Sequence, residues 1–245
     1  VIPLGSHPAW HGVFETLGYS SGFLLYRRLR GTAGDQLTDA QRWNVIAASA
    51  LGALLGARLL NILYELPRTA ISWSQIFAPT GGKTIVGGLL GAWIAVELIK
   101  TMQGIRTRTG DLFAIPLCLG IAVGRIGCLL AGLGEDTYGN PSHLPWAVDF
   151  GDGIPRHPTQ AYEIAFVGLL AVYLIHRQRS PYRNGLLFRI FMAAYLTFRF
   201  AIDFLKPEPL FQGLSMIQWS CAAGLILLGF GWPNTRQSME PTHEG

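Results

Sequence analysis

Seven apolar runs, each near the ~20 residues needed to cross ~30 Å of hydrocarbon, alternate with short polar stretches along this chain. They lie near 10–29, 43–65, 85–103, 111–133, 159–176, 185–205 and 213–232. Charged residues make up only 14% of the sequence, where a soluble domain carries about 25%. The expected fold is therefore all-α, a polytopic membrane protein with about seven transmembrane helices. Residues 1–232 read as a single transmembrane domain and 233–245 as a polar tail, with no internal repeat.

The basic residues set the orientation. Arg27, Arg28, Arg30, Arg106, Arg108 and Arg177 fall on one side of the apolar runs, while the other side holds only Arg68, Lys83, Arg156 and Lys206. By the positive-inside rule the N-terminus is outside and the C-terminus cytoplasmic, and the 135–158 loop faces out. The net charge of +4 follows from this topology and implies no nucleic-acid partner. Cys118, Cys128 and Cys221 sit in apolar runs without metal-ligand spacing, so neither a disulfide framework nor a metal or other cofactor is expected. The first apolar run begins late and lacks a basic flank before it, so no cleavable signal is expected.

Several runs carry charges that a simple anchor would not keep. Arg125 interrupts the fourth, at a cost of roughly 2.5–3.5 kcal/mol at a bilayer centre, so it should face a bundle interior or polar cavity. Gly124 and Gly127 beside it allow close approach of a backbone or headgroup. In the sixth run Tyr195, Arg199 and Asp203 recur at i, i+4, i+8 and share one helix face, as do His11, Glu15 and Tyr19 in the first. The Arg199–Asp203 spacing also fits simple mutual neutralisation. The second run is rich in small residues suited to tight helix packing, preceded by Thr38-Asp39 as a helix cap.

Lys83 precedes Gly87 and Gly88 at the start of the third run. Such glycines either cradle a phosphate through backbone N–H groups or mark a close-packed helix end. The 135–158 loop adds Asp136, Tyr138, Arg156 and His157. Asp136 reads as a base or as a solvated acid, and His157 as a functional group or a helix entry. Cys128, one turn from Arg125, reads as a small packing residue more readily than as a nucleophile. Arginine forks suit a phosphodiester, which places Arg125 and Arg199 in one cavity, with Lys83 and Arg156 at headgroup depth. His11, oriented by Glu15, is the first choice of general base, although a simple interfacial histidine is the more natural reading there.

Together these residues resemble the prolipoprotein diacylglyceryl transferase family. The likeness rests on Gly124-Arg125-Ile126-Gly127, Tyr138-Gly139-Asn140-Pro141 and Leu144-Pro145-Trp146. It continues through Arg156-His157-Pro158-Thr159-Gln160-Ala161-Tyr162-Glu163 and the Tyr195/Arg199/Asp203 helix. The resemblance implies a seven-span enzyme of the bacterial cytoplasmic (inner) membrane, with its active site toward the outer leaflet. It implies transfer of a diacylglyceryl group from phosphatidylglycerol to the lipobox cysteine of prolipoproteins, with glycerol phosphate leaving. The implied partners are phosphatidylglycerol, membrane lipids and prolipoprotein signal peptides, and a monomer is expected.

By the same resemblance, Arg125 is the signature arginine and Asp136 lies near a family glutamate. His157 and Glu163 belong to the HPxQxYE motif, and Tyr195, Arg199 and Asp203 belong to the penultimate-helix site. Two positions depart from the pattern: Val86 stands where the HGGL motif has histidine, and Cys128 where the signature has asparagine. Those departures keep two alternatives open, a transferase using the same lipid with another acceptor and a non-catalytic lipid-binding paralogue. A phospholipid donor further predicts a lateral opening, with Gly52, Gly56, Gly87, Gly88 and Gly91 as candidates for its wall.

Overall fold

The computed structural model describes residues 2–3, 7, 9–33, 37–65, 82–135 and 137–230. Asp136, Arg68 and the Pro79-Thr80-Gly81 turn lie outside the described residues. Among them seven long helices run in chain order: α1 (Ala9–Ala33), α2 (Asp39–Glu65), α3 (Ile85–Met102), α4 (Asp111–Ala131), α5 (Thr159–Arg177), α6 (Leu186–Ile202) and α7 (Met216–Phe230). Four stretches, α2, α3, α4 with the turn after it, and α5, are long and apolar enough to cross a membrane; α7 is apolar but shorter.

The helix ends follow local chemistry. Thr38 and Gln41 form a reciprocal capping box: Gln41 N–H donates to Thr38 Oγ1 at 3.3 Å and Thr38 N–H to Gln41 Oε1 at 3.1 Å. Thr84 caps α3 by accepting from Gly87 N–H at 3.3 Å. The start of α6 is capped from a different helix, because Asp111 accepts from the N–H groups of Gly185 (2.5 Å) and Phe188 (2.9 Å). The last helix begins later than its apolar run because Leu210–Phe211 (β4) and Leu214–Ser215 (β5) turn back as a hairpin through Gln212 and Gly213, both at positive φ.

Helix packing is governed by small residues. Along α2 and α3 the backbones meet at glycines: a Cβ on Gly56 would lie 2.2 Å from Gly87 O, and one on Gly91 2.2 Å from Gly52 O. Gly18 brings α1 against Gly120 of α4 in the same way, at 2.7 Å. α5 packs on α4, and α6 on α7. The shared core centres on Phe191, Met192, Tyr195 and Leu196 of α6, all fully buried, while Leu54, Leu55, Leu59 and Leu169 point outward as apolar surface.

The all-helical reading omits two small sheets. Besides the hairpin, Ile2–Pro3 (β1) pairs in parallel with Val148–Asp149 (β2), which pairs with Pro155–Arg156 (β3). Strands of two residues are too short to leave an alternating pattern in a sequence. Their effect is to fold the loop between α4 and α5 back over the helix ends. Gly139 N–H donates to His157 O (2.9 Å) and Asn140 N–H to Leu205 O (2.7 Å). At Gly139 a Cβ would lie 2.6 Å from that of His157, so only glycine fits where the loop crosses.

Candidate functional site

The charges read one by one from the sequence meet inside the bundle. Arg125 comes from α4, Glu163 from the first turns of α5, Tyr195 and Arg199 from α6, and Asp203 from the 3-10 turn that ends it. All five are buried. Arg199 Nη1 donates to Glu163 Oε2 at 3.3 Å, and Tyr195 OH donates to Glu163 Oε1 at 2.6 Å. Arg125 Nε lies 2.8 Å from Glu163 Oε2 as an ion pair, but its N–H is turned off that line and finds no hydrogen-bond partner among the described residues. Asp203 accepts from Arg199 Nη2 at 3.4 Å and from the hydroxyl of Ser215. Gln218 of α7 closes the arrangement, donating its N–H to Ser215 Oγ at 3.0 Å.

Two guanidinium groups this close repel, and Glu163 between them offsets that repulsion. A guanidinium has five donors in a fixed fork. Glu163 and Asp203 occupy only part of the two forks, and Nε of Arg199 has no hydrogen-bond partner among the described residues either. The cluster is therefore a held pair of cations with donors to spare.

A second polar chain runs from the surface to this cluster. Lys83 Nζ sits 3.0 Å from Glu15 Oε1, and Tyr19 OH donates to the same oxygen at 2.9 Å. Glu15 Oε2 is 3.9 Å from His11 Nε2, and His11 Nδ1 is 3.7 Å from Cys128 Sγ. Arg125 Nη1 reaches that same sulfur at 3.8 Å. Cys128 thus joins the two sets, so the packing reading covers only part of its place in the structure. Its sequence signals were the one-turn spacing from Arg125 and its place where the family signature has asparagine.

The remaining candidates are employed elsewhere. Arg156 makes a two-pronged pair with Asp152 (2.7 and 2.6 Å) and lies over the Tyr138 ring, 5.0 Å from its centroid. The Arg156 guanidinium hydrogen-bonded to Asp152 holds that carboxyl down to about 2. His157 Nδ1 is 3.2 Å from Tyr162 OH, which accepts from Trp146 Nε1 at 2.8 Å, a cluster of its own at the loop base. Gly87 is filled by its neighbours in the α2–α3 seam, whereas Gly88 has ordinary room, its nearest contact 3.6 Å away. Gly52, Gly56, Gly87 and Gly91 are thereby consumed in packing one helix on another.

Val86 is fully buried in the apolar core with Leu60 and Leu89 and carries no polar role. Sequence reasoning passed over Gln160, which donates to Thr137 Oγ1 at 3.0 Å, and Ser215; Gln160 sat in plain view inside its motif, while Ser215 had no signal. Among the described residues no group of three or more His, Cys, Asp or Glu is placed to hold a metal.

Long apolar helices with an outward apolar surface around a buried guanidinium pair mark a membrane protein. The chain belongs to the prolipoprotein diacylglyceryl transferase family, whose family model matches residues 2–232. It is 35% identical over 231 residues to the phosphatidylglycerol–prolipoprotein diacylglyceryl transferase of Bordetella avium, covering 89% of this chain and 85% of that one. The proteins of the same name from Geobacter sulfurreducens and Methylococcus capsulatus are 32% and 31% identical, covering 84% and 92% of this chain and 80% and 87% of theirs.

Proposed function

We propose that this chain transfers the diacylglyceryl group of phosphatidylglycerol to the cysteine thiol of a prolipoprotein lipobox, releasing glycerol phosphate. The observation that carries this reading is the convergence of Arg125 and Arg199 on one oxygen of Glu163. Four buried charges contribute little net to folding compared with apolar replacements, so their presence is explained by what they bind.

The chemistry follows from the geometry. The thiol sulfur attacks the glyceryl CH2 that bears the phosphate, its C–O bond breaks, and the electron pair leaves on the phosphate oxygen. The phosphodiester carries one negative charge before this step and gains a second as the bond opens. Arg125 and Arg199 are fixed, desolvated cations at the point where that charge develops, the arrangement that contributes most to such steps. The thiol proton goes to His11. Glu15 faces Nε2, which fixes the proton there and leaves the Nδ1 lone pair toward the cluster.

The same reading gives all seven helices a membrane-spanning role, with the N-terminus outside, the C-terminus cytoplasmic and residues 1–232 as one domain. It sets the enzyme, as a monomer, in the bacterial inner membrane with its site toward the outer leaflet. A two-chain donor enters sideways from the bilayer, and the signal peptide of the acceptor is the second partner. Purified protein in phosphatidylglycerol vesicles should convert a lipobox peptide to its diacylglyceryl thioether, seen by mass spectrometry. A peptide with serine for the lipobox cysteine should stay unmodified. Consumption of phosphatidylglycerol without a modified peptide would move the reading to another acceptor, and no consumption would remove the enzymatic reading.

A further inference from the structure

A cavity lies at the opposite end of the bundle from Arg125 and Arg199. It holds about 150 Å³, is partly open, and sits between the last turns of α3 and the first turns of α4 and α6. α3 spans 18 residues, so its two ends are separated by roughly 27 Å, close to a full hydrocarbon thickness. Lys83 of the polar chain marks one end and this cavity the other.

Its lining divides in two. Trp93, Val96, Phe113 and Phe188 make an apolar wall, and Lys100, Arg108 and Arg189 stand among the lining residues with one acid, Glu97. That acid is already engaged, since Lys100 Nζ donates to both of its oxygens at 3.0 and 3.1 Å. Asp111, the other acid nearby, spends its two oxygens on the N–H groups of Gly185 and Phe188. Among the described residues Arg108 makes no hydrogen bond, and its charge acts on Asp111 only from beyond ion-pair contact distance. Its stem is nevertheless fixed, because it lies on the bare backbone of Gly185, where a Cβ would come within 2.3 Å of Arg108 Cδ. Arg189 has one weak bond, from Nη2 to Leu228 O at 3.4 Å.

We infer that this cavity binds an anionic phospholipid of the leaflet at that end, with the phosphate on Arg108 and Arg189 and one acyl chain against Trp93 and Phe113. An apolar cavity of about this volume admits a group the size of benzene, equivalent here to a few methylenes of one chain. Planar guanidinium forks are suited to a phosphate in a way that an apolar rim is not. A soluble phosphate ester shares the headgroup chemistry but leaves the apolar wall bare, so the lipid is the occupant. The inference does not depend on the transferase reading, because none of these residues belongs to that site.

The test is hydrogen exchange on the full-length wild-type protein in nanodiscs of phosphatidylcholine alone or with added phosphatidic acid, which is anionic and is not the donor. Phosphatidic acid should slow exchange at residues 96–110 and 185–189 by about tenfold or more, the scale of charge-assisted hydrogen bonds. Arg108→Gln/Arg189→Gln should lose that protection while keeping diacylglyceryl transfer. Equal exchange in both nanodiscs would overturn the proposal, and this comparison stands even if the double variant fails to fold. Full protection retained in a folded double variant would overturn it too. Protection in phosphatidylcholine nanodiscs by soluble glycerol phosphate alone would overturn the choice of a lipid occupant.

Discussion

Glu163 and Glu15 are both carboxylates flanked by cations, one at the bundle centre and one at its edge. Glu163 is 1% exposed and holds two guanidinium groups and a tyrosine hydroxyl. Glu15 keeps 27% of its side chain exposed and holds an ammonium, a tyrosine hydroxyl and an imidazole. Removing one partner from a buried pair costs about 3–5 kcal/mol, whereas an exposed pair is worth about 0–1 kcal/mol. The centre is therefore a place where fold and function fail together. The edge is a place where function can fail alone.

The largest effect should come from the centre. Arg199→Ala should abolish measurable turnover and lower stability by about 3–5 kcal/mol, since Glu163 and Asp203 both lose a buried partner. Arg199→Lys should restore stability more than activity, because an ammonium lacks the fork. Turnover and thermal melting measured together check this, and equal recovery of both would break the contrast.

At the edge, His11→Gln should cut turnover by about two orders of magnitude, the scale of general-base catalysis, with the melting temperature nearly unchanged. Near-wild-type turnover would move the base elsewhere, with Asp136 or His157 the next candidate. Glu15→Gln should give a smaller loss in the same direction.

A smaller effect tests how the edge is held. Gly56→Ala pushes a methyl into Gly87 O and should cost about 1–3 kcal/mol of stability. It should disturb activity only through Lys83, which hangs from the start of α3. Gly88→Ala, with its nearest neighbour at 3.6 Å, should be silent in both assays. The smallest effect belongs to the loop. Asp152→Asn should change turnover by less than about fivefold at neutral pH, because Asp152 is the solvent-exposed partner of its pair. Asp152 is held near 2, below its ordinary 3.8, so any support it lends the loop is present above pH 4. That support fades as pH falls through 2, and proteolysis of the loop in wild type and Asp152→Asn should converge there.

The helices were legible because their length and apolarity are local properties of the chain. The i, i+4, i+8 spacing likewise placed Tyr195, Arg199 and Asp203 on one face, and the motif pointed to Glu163. What spacing within a helix cannot give is which helices meet. His11 and Arg125 lie on separate helices; Cys128 is one turn from Arg125, and only the α1–α4 crossing at Gly18 and Gly120 brings His11 to it. Asp152, four residues from Arg156, pairs with it through a loop turn that the sequence pattern did not show. Asp111 capping a helix 74 residues away left no local trace at all.

The central claim is that Arg125 and Arg199 share one phosphate. It is tested most directly by solid-state NMR in bilayers containing phosphatidylglycerol, measuring dipolar coupling between nitrogen-15 in arginine side chains and phosphorus-31 in the donor. The account predicts guanidinium nitrogens about 4 Å from phosphorus, the separation of a direct arginine–phosphate hydrogen bond. It further predicts that Arg125→Lys and Arg199→Lys each remove part of that coupling, while His11→Gln leaves it intact. A coupling that survives both arginine substitutions, or that is absent from the active wild-type enzyme, would contradict it.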